Sequence, residues 1–288
     1  MKLKNAVDIY LEFHQKKVKE KTNKYTKRLL EKNFSQLFEV ECAKISPKMI
    51  FELVELIKST SEAKKSLGIL VNVFDYACVL DLIDNNPAAR LVKFTKPHSI
   101  KNMNFVDKKD LPELLRKIKT SSKNPTIKNA LLSIIYTAQR RREIVGAKWE
   151  EIDWVNKIWT IPAERMKMGI EHKIPISDDV LKILFEQKRL NSEYIFPSKL
   201  INKTHIHLSS PIILLYDLGY KYKQTLHGFR HIFSTLSNES GLWNSEIIEK
   251  QLSHMTIGIK GVYDKSQNIE QRAKMMSWYC TYINEIIR

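Results

Sequence analysis

Residues 152–176, IDWVNKIWTIPAERMKMGIEHKIPI, interrupt a chain that otherwise reads as helix. Ile158-Trp159-Thr160-Ile161 and His172-Lys173-Ile174-Pro175-Ile176 are short runs rich in β-branched and aromatic residues, separated by a loop that contains Gly169. Runs of this kind, bounded by turn residues, read as strands. They predict a small antiparallel sheet of about three strands. The apolar residues on either side recur at helical spacing. Upstream, helices are predicted over 107–120 and 125–139. Downstream they are predicted over 178–190, 209–218, 227–240, 244–253 and 268–287, the first opening at the capping cluster Ser177-Asp178-Asp179. The fold class is therefore mainly α with a small antiparallel β-sheet.

The N-terminal hundred residues carry helical patterns alone. Val7, Tyr10, Leu11 and Val18 define one stripe over 4–20, and Tyr25, Leu29, Leu30, Phe34, Leu37 and Phe38 a second that starts at Thr22-Asn23. Ser46-Pro47 is a good cap and first-turn pair for a third helix. A fourth runs from about Ser61 to Ile83 and stops at Asp84-Asn85-Asn86-Pro87. Four such helices can close a bundle. The basic, polar stretch Lys93–Asn104, with Pro97, reads as a linker. The expected division is a helical domain over 1–95, a linker over 96–103 and an α+β domain over 104–288.

Composition narrows the function. Lysine plus arginine number 48 and aspartate plus glutamate 32 in 288 residues, a net charge of +16. With 43% hydrophobic residues the chain can build cores, so the charge is not that of a disordered tail. A large positive excess points to a polyanionic partner, nucleic acid first. Residues 1–28 hold nine basic residues against three acidic ones, and residues 1–100 hold 18 against 12. The first domain's whole excess of +6 thus sits in its first 28 residues, where Lys16, Lys17, Lys19, Lys21, Lys24, Lys27 and Arg28 are candidates to face phosphates, joined by Lys101 in the linker. No apolar stretch reaches the roughly 18–20 residues that span a bilayer. Asp8, Glu12 and His14 break up the N-terminus where a signal peptide would need an apolar run. Cys42, Cys78 and Cys280 are an odd, scattered set without zinc spacing, and read as reduced thiols in a cytoplasmic protein. His205-Ile206-His207 could hold a metal on a strand, but no third ligand is evident, and no metal is expected.

Three stretches carry potential chemistry. In His227-Gly228-Phe229-Arg230 an imidazole and a guanidinium three apart on a helix share a face, which suits a phosphate. In Thr137-Ala138-Gln139-Arg140-Arg141-Arg142-Glu143-Ile144, three arginines follow an apolar helix. They read either as a basic helix terminus or as one arginine turned inward and held by Glu143. Leu252-Ser253-His254 precedes Tyr263 by a glycine-containing segment. A tyrosine phenol titrates near pH 10 and becomes a useful nucleophile only beside cations.

The stretches TAQRRREI, RMK, HGFR, LSH and GVY, in this order, resemble the active-site set of the tyrosine recombinases, the phage integrases. IWTIPAERMKM, LHGFRHIFSTL and QRAKMMSWYCTYI look like integrases of prophages and genomic islands. The resemblance spans about 104–288, and more loosely the helices before it. It implies a core-binding, SAM-like helical domain followed by a catalytic domain. Arg140 matches the first arginine, Glu143 the acid that follows it, and Lys167 the lysine in the turn between two strands. His227 and Arg230 match the HxxR pair, His254 the second histidine and Tyr263 the nucleophile. The family usually has glycine where this chain has Ala138, and glycine or alanine where it has Ser253; neither position is expected to supply a side-chain catalyst.

The resemblance implies a site-specific recombinase that integrates or excises a mobile element. Tyr263 would attack the scissile phosphorus, giving a 3′-phosphotyrosyl link and a free 5′-hydroxyl, with no cofactor. Arg140, Arg230 and His254 would bind the phosphate, Lys167 would protonate the leaving oxygen, His227 would assist proton transfer and Glu143 would support Arg140. The implied partner is double-stranded DNA with attachment or crossover sites, gripped by a C-shaped clamp, with a homotetramer on paired sites and no membrane. The implied location is the bacterial cytoplasm, at the nucleoid when DNA-bound. The last helix would either pack on its own domain or dock on a neighbouring protomer. Members often carry a further N-terminal domain for arm-type DNA sites, whereas this chain opens almost directly with the core-binding helices. A silent, DNA-binding relic is therefore one alternative, and strand relaxation like that of type IB topoisomerases another.

Overall fold

The computed structural model describes residues 1–95, 104–199, 204–254 and 267–288. The chain forms two compact units, Met1–Lys101 and Asn102–Arg288. Among the described residues no helix is long and apolar enough to cross a membrane.

The first unit contains α1 (Leu3–Gln15), α2 (Glu20–Phe34), α3 (Pro47–Glu55) and α4 (Thr60–Val79). Leu3, Val7, Leu30, Phe34, Ile50 and Phe74 bury their side chains in one core. Ser46 caps α3 as predicted, its Oγ accepting from Met49 N–H. Three predicted helix ends move. The first helix stops at Gln15 and the second starts at Glu20, not at Thr22-Asn23. Asn23 is engaged elsewhere: its side chain bonds His14 Nδ1 at 2.8 Å and donates to Leu11 O at 3.3 Å, tying α2 to α1. The fourth helix ends at Val79 because Asp81 takes a left-handed φ of +54°. Leu82 and Asp81 N–H then fold back on Ala77 O and Cys78 O, which closes the helix before the Asp84–Pro87 stop signal.

The second unit contains α5 (Leu111–Thr120), α6 (Pro125–Thr137), α7 (Arg141–Val145), β1 (Ile152–Asp153), β2 (Ile158–Ile161), β3 (His172–Pro175), α8 (Asp178–Lys188), α9 (Ser210–Leu215), α10 (Gly228–Glu239), α11 (Ser245–Gln251) and α12 (Ile269–Glu285). The sheet has the order β1-β2-β3 and is antiparallel, with Trp159 opposite Ile174 and Ile161 opposite His172. Trp159 is fully buried, and its indole N–H donates to Glu151 Oε2 at 3.0 Å. Ser177 caps α8. The predicted helix over 209–218 is shorter, passing at Tyr216 into a wide turn in which Gly219 has φ +88°. Met275, Met276, Tyr279, Cys280 and Ile283 of α12 lie in the core of this unit, so the last helix packs on its own domain.

Candidate active site

Three helix boundaries build the site. The first is the break between α6 and α7. Helix α6 ends at Thr137 because Ala138 adopts a left-handed φ of +54°, and the chain turns so that Arg140 becomes the N-terminal flank of α7. Glu143, one turn on, is buried and holds Arg140 twice. Its Oε2 accepts from Arg140 N–H at 2.8 Å and its Oε1 from Nη1 at 3.0 Å. Arg140 is thus the inward arginine, while Arg141 and Arg142 are exposed.

The second boundary is the start of α10. His227 flanks the helix and Arg230 lies in its first turn. The glycine between them is a packing requirement. A Cβ on Gly228 would stand 2.8 Å from Phe105 Cβ and 3.0 Å from Asn104 O, because the segment entering this unit crosses there. Arg230 is buried at 3% exposure. Its Nη1 donates to Ala138 O and its Nη2 to Leu252 O, both at 2.6 Å.

The third boundary is the end of α11. His254 sets its Nε2 at 3.2 Å from Arg230 Nη2 and its Nδ1 at 2.6 Å from Glu249 Oε2. A carboxylate on Nδ1 selects the tautomer and fixes the ring.

The electrostatics suit an anion. Among the described residues Arg230 bonds two carbonyls and an imidazole rather than a carboxylate, and its Nε is buried without a partner among them. Burial, and then the Arg140 charge, pulls its pKa down to about 10, so it stays charged at neutral pH. Glu143 and Glu249 act on it only through their charge, and a buried guanidinium hydrogen-bonded by dipoles attracts an anion of its own. His227 is held neutral: partial desolvation and then the Arg230 charge pull its pKa down to about 4.

Arg140, Glu143, Arg230 and His254 are therefore brought together, with His227 beside them. Lys167 lies exposed in the turn between β2 and β3. No hydrogen bond or ion pair joins it to the arginines among the described residues. Tyr263 and Lys101 lie outside the described residues. Lys16, Lys17, Lys19, Lys21, Lys24, Lys27 and Arg28 are all exposed, at the end of α1 and along the first half of α2. Two of them, Lys24 and Lys27, pair with Glu20 and Glu31 on their own helix. His205 and His207 bond locally, to Ile206 O and Ser209 N–H, and no group of three metal-ligating side chains occurs among the described residues.

Sequence reasoning missed a buried polar layer beneath the arginines. Gln139 Nε2 donates to Gln251 O at 2.6 Å, Gln251 Nε2 to Thr137 O at 2.9 Å, and Arg272 Nε to Gln251 Oε1 at 3.0 Å. All three side chains are buried. The available signal was the place of Gln139 inside TAQRRREI and of Arg272 inside QRAKMM, with Gln251 directly before LSH.

Comparison with known proteins gives the family. The Phage integrase family profile matches residues 104–269, and the phage integrase central domain profile matches residues 3–93. The chain belongs to the phage integrase family. This integrase-family chain is 29% identical over 259 residues to the integrase of Shigella phage Sf6, across 86% of its own length and 66% of that protein. It is 34% identical over 215 residues to prophage integrase IntA of Escherichia coli (strain K12), across 73% of its own length and 52% of the relative. It thus spans from about half to just under two thirds of these relatives. Its fold matches a lambda integrase dimer bound to a COC' core site with a TM-score of 0.72 and 18% identity, over 89% of this chain and 96% of that one. A Tn1549 transposon integrase in complex with a circular intermediate DNA matches with a TM-score of 0.69 and 15% identity, also over 89% and 96%.

Proposed function

We propose that this chain is a site-specific DNA recombinase that breaks and rejoins strands through a 3′-phosphotyrosyl intermediate. The observation that carries the reading is the convergence of Arg140, Arg230 and His254, with Arg230 hydrogen-bonded by carbonyls and, among the described residues, by no acid. That arrangement fits a phosphodiester whose charge grows as the phosphorus becomes pentacoordinate. Preorganised donors at such a centre contribute about 10²–10³ each in rate.

Tyr263, nine residues past His254 in sequence, is the nucleophile. Its phenolate oxygen bonds to phosphorus as the bond to the 5′-oxygen breaks. The bond energy stays in the phosphotyrosyl link, and the second strand's 5′-hydroxyl reverses the step. Lys167 supplies the proton to the leaving oxygen, and neutral His227 receives the one from Tyr263. Glu143 holds Arg140.

Residues 104–288 are the catalytic domain, residues 96–103 the linker and residues 1–95 the core-binding domain. Its exposed lysines bind the duplex backbone in the bacterial cytoplasm. The partner is double-stranded DNA with paired crossover sites, and the working assembly is a tetramer. In support, the fold resembles a lambda integrase tetramer bound to a Holliday junction, with a TM-score of 0.72.

The test is a nicked duplex carrying the end junctions of the element that encodes the chain. Cleavage there loses a short 5′-hydroxyl fragment and traps the protein on DNA. A covalent adduct that survives denaturing electrophoresis and vanishes in Tyr263→Phe is the expected result. Tight binding without an adduct would replace this reading with a DNA-binding relic. Relaxation of supercoiled plasmid without exchange between sites would favour the topoisomerase-like alternative.

A further inference from the structure

Ser253 follows the last residues of α11 with φ +50°, in the left-handed region that favours glycine. The backbone requires that conformation. His254 N–H donates to Glu249 O at 3.0 Å and Ser253 N–H to Lys250 O at 3.1 Å, the paired bonds of a Schellman ending. Ala138, at the other left-handed break in the site, has no polar side chain. Ser253 has one, and it is used: its Oγ accepts from Arg140 Nη1 at 2.6 Å. The same nitrogen donates to Glu143 Oε1 at 3.0 Å. Glu143 holds Arg140 only from within its own segment. Ser253 holds it from α11, where the adjacent residue, Leu252, holds Arg230 through its carbonyl. One turn of backbone thus grips both arginines.

We infer that Ser253 is a positioning residue, whose hydroxyl sets Arg140 in register with Arg230 across the phosphate site. The inference rests on the strand-cleavage reading above. Ser253 acts through Arg140 and not on the phosphate. Its backbone preference and its side-chain role oppose each other: glycine would relax the left-handed turn and release Arg140. Stability and cleavage should therefore separate.

The experiment compares the full chain with Ser253→Gly and Ser253→Ala on the nicked duplex, under single turnover, with thermal melting in parallel. Ser253→Gly is expected to melt at or above the unsubstituted protein. Both variants are expected to cleave more slowly by about tenfold or more at saturating DNA, the scale of losing one hydrogen bond to a charged group, with half-saturation unchanged. A methylphosphonate at the scissile position lacks the charge that Arg140 neutralises, so on that substrate the defect should shrink toward unity. A role in packing alone would leave the defect equal on both substrates. Cleavage by both variants at the unsubstituted rate, or a defect that persists on the methylphosphonate, overturns the inference while the recombinase reading stands. No adduct from the unsubstituted protein on any duplex that it binds overturns both.

Discussion

Arg272 Nη2 donates to Lys173 O at 2.7 Å, so a guanidinium on α12 fastens the last helix to β3. The side chain is 2% exposed, and among the described residues no carboxylate bonds it. Its Nη1 also reaches Gln267 O at 3.3 Å. Removing it strands buried acceptors at Lys173 and Gln251, each worth about 1–3 kcal/mol. Arg272→Ala should therefore lose about 3 kcal/mol of stability, read from the urea midpoint of the second unit's transition. A change under about 0.5 kcal/mol, the range of an ordinary surface substitution, would mean that the layer beneath the arginines is not structural.

Arg230→Lys tests the geometry of the clamp. A guanidinium can hold Ala138 O and Leu252 O with its two outer nitrogens and still present an edge to phosphate; an ammonium cannot. Cleavage should fall by about 10²–10³ or more, with DNA affinity kept within about threefold, since the phosphates along the duplex supply most of the binding. Rate constants and gel-shift affinities measured on the same duplex decide the matter.

The histidines predict a dependence on pH. Burial, and then the Arg272 charge, pulls His172 down to about 3, whereas an unfolded histidine titrates near 6.5. Between these values the unfolded chain binds a proton that the folded chain refuses. Stability is therefore full above about pH 6.5 and declines as pH falls through that window. His227, at about 4, adds to the same trend. Urea midpoints should drop between pH 7 and pH 5, and His172→Gln should flatten the slope. Identical midpoints at both values would contradict a neutral buried His172.

Salt dependence separates the lysines. If Lys16, Lys17 and Lys19 each neutralise a phosphate, removing all three lowers the slope of log affinity against log salt by about 2.7, at about 0.9 per contact. Lys24→Ala should change it less, because Glu20 already holds that ammonium at 2.6 Å. An unaltered slope in the triple variant would remove the end of α1 from the interface.

Much of this was legible in the sequence, for reasons that are local. The β2 and β3 runs declare themselves by residue type, and Ser46 and Ser177 cap where their neighbours invite a helix. The spacing of Arg140, Glu143 and the HxxR pair marks the anion site. The hidden parts depend on remote partners. Asp81, Ala138 and Ser253 end helices in a conformation usually announced by glycine, so those ends were read two to four residues late. Whether Gln139, Gln251 and Arg272 point inward depends on groups about 20 to 110 residues away. Asn23 looked like a cap and instead ties two helices together.

The carbonyls that hold Arg230 belong to two helix ends. Ala138 closes α6 and Leu252 closes α11, and the C-terminal end of a helix carries roughly half a negative charge. The arginine is thus anchored by the fields of two converging helices rather than by a carboxylate bonded to it among the described residues. A carboxylate in their place would compete with phosphate for the same nitrogens and cancel the charge outright. Helix ends fix the side chain while leaving much of its positive field unspent, so an incoming phosphodiester meets a cation that is rigid and still not neutralised.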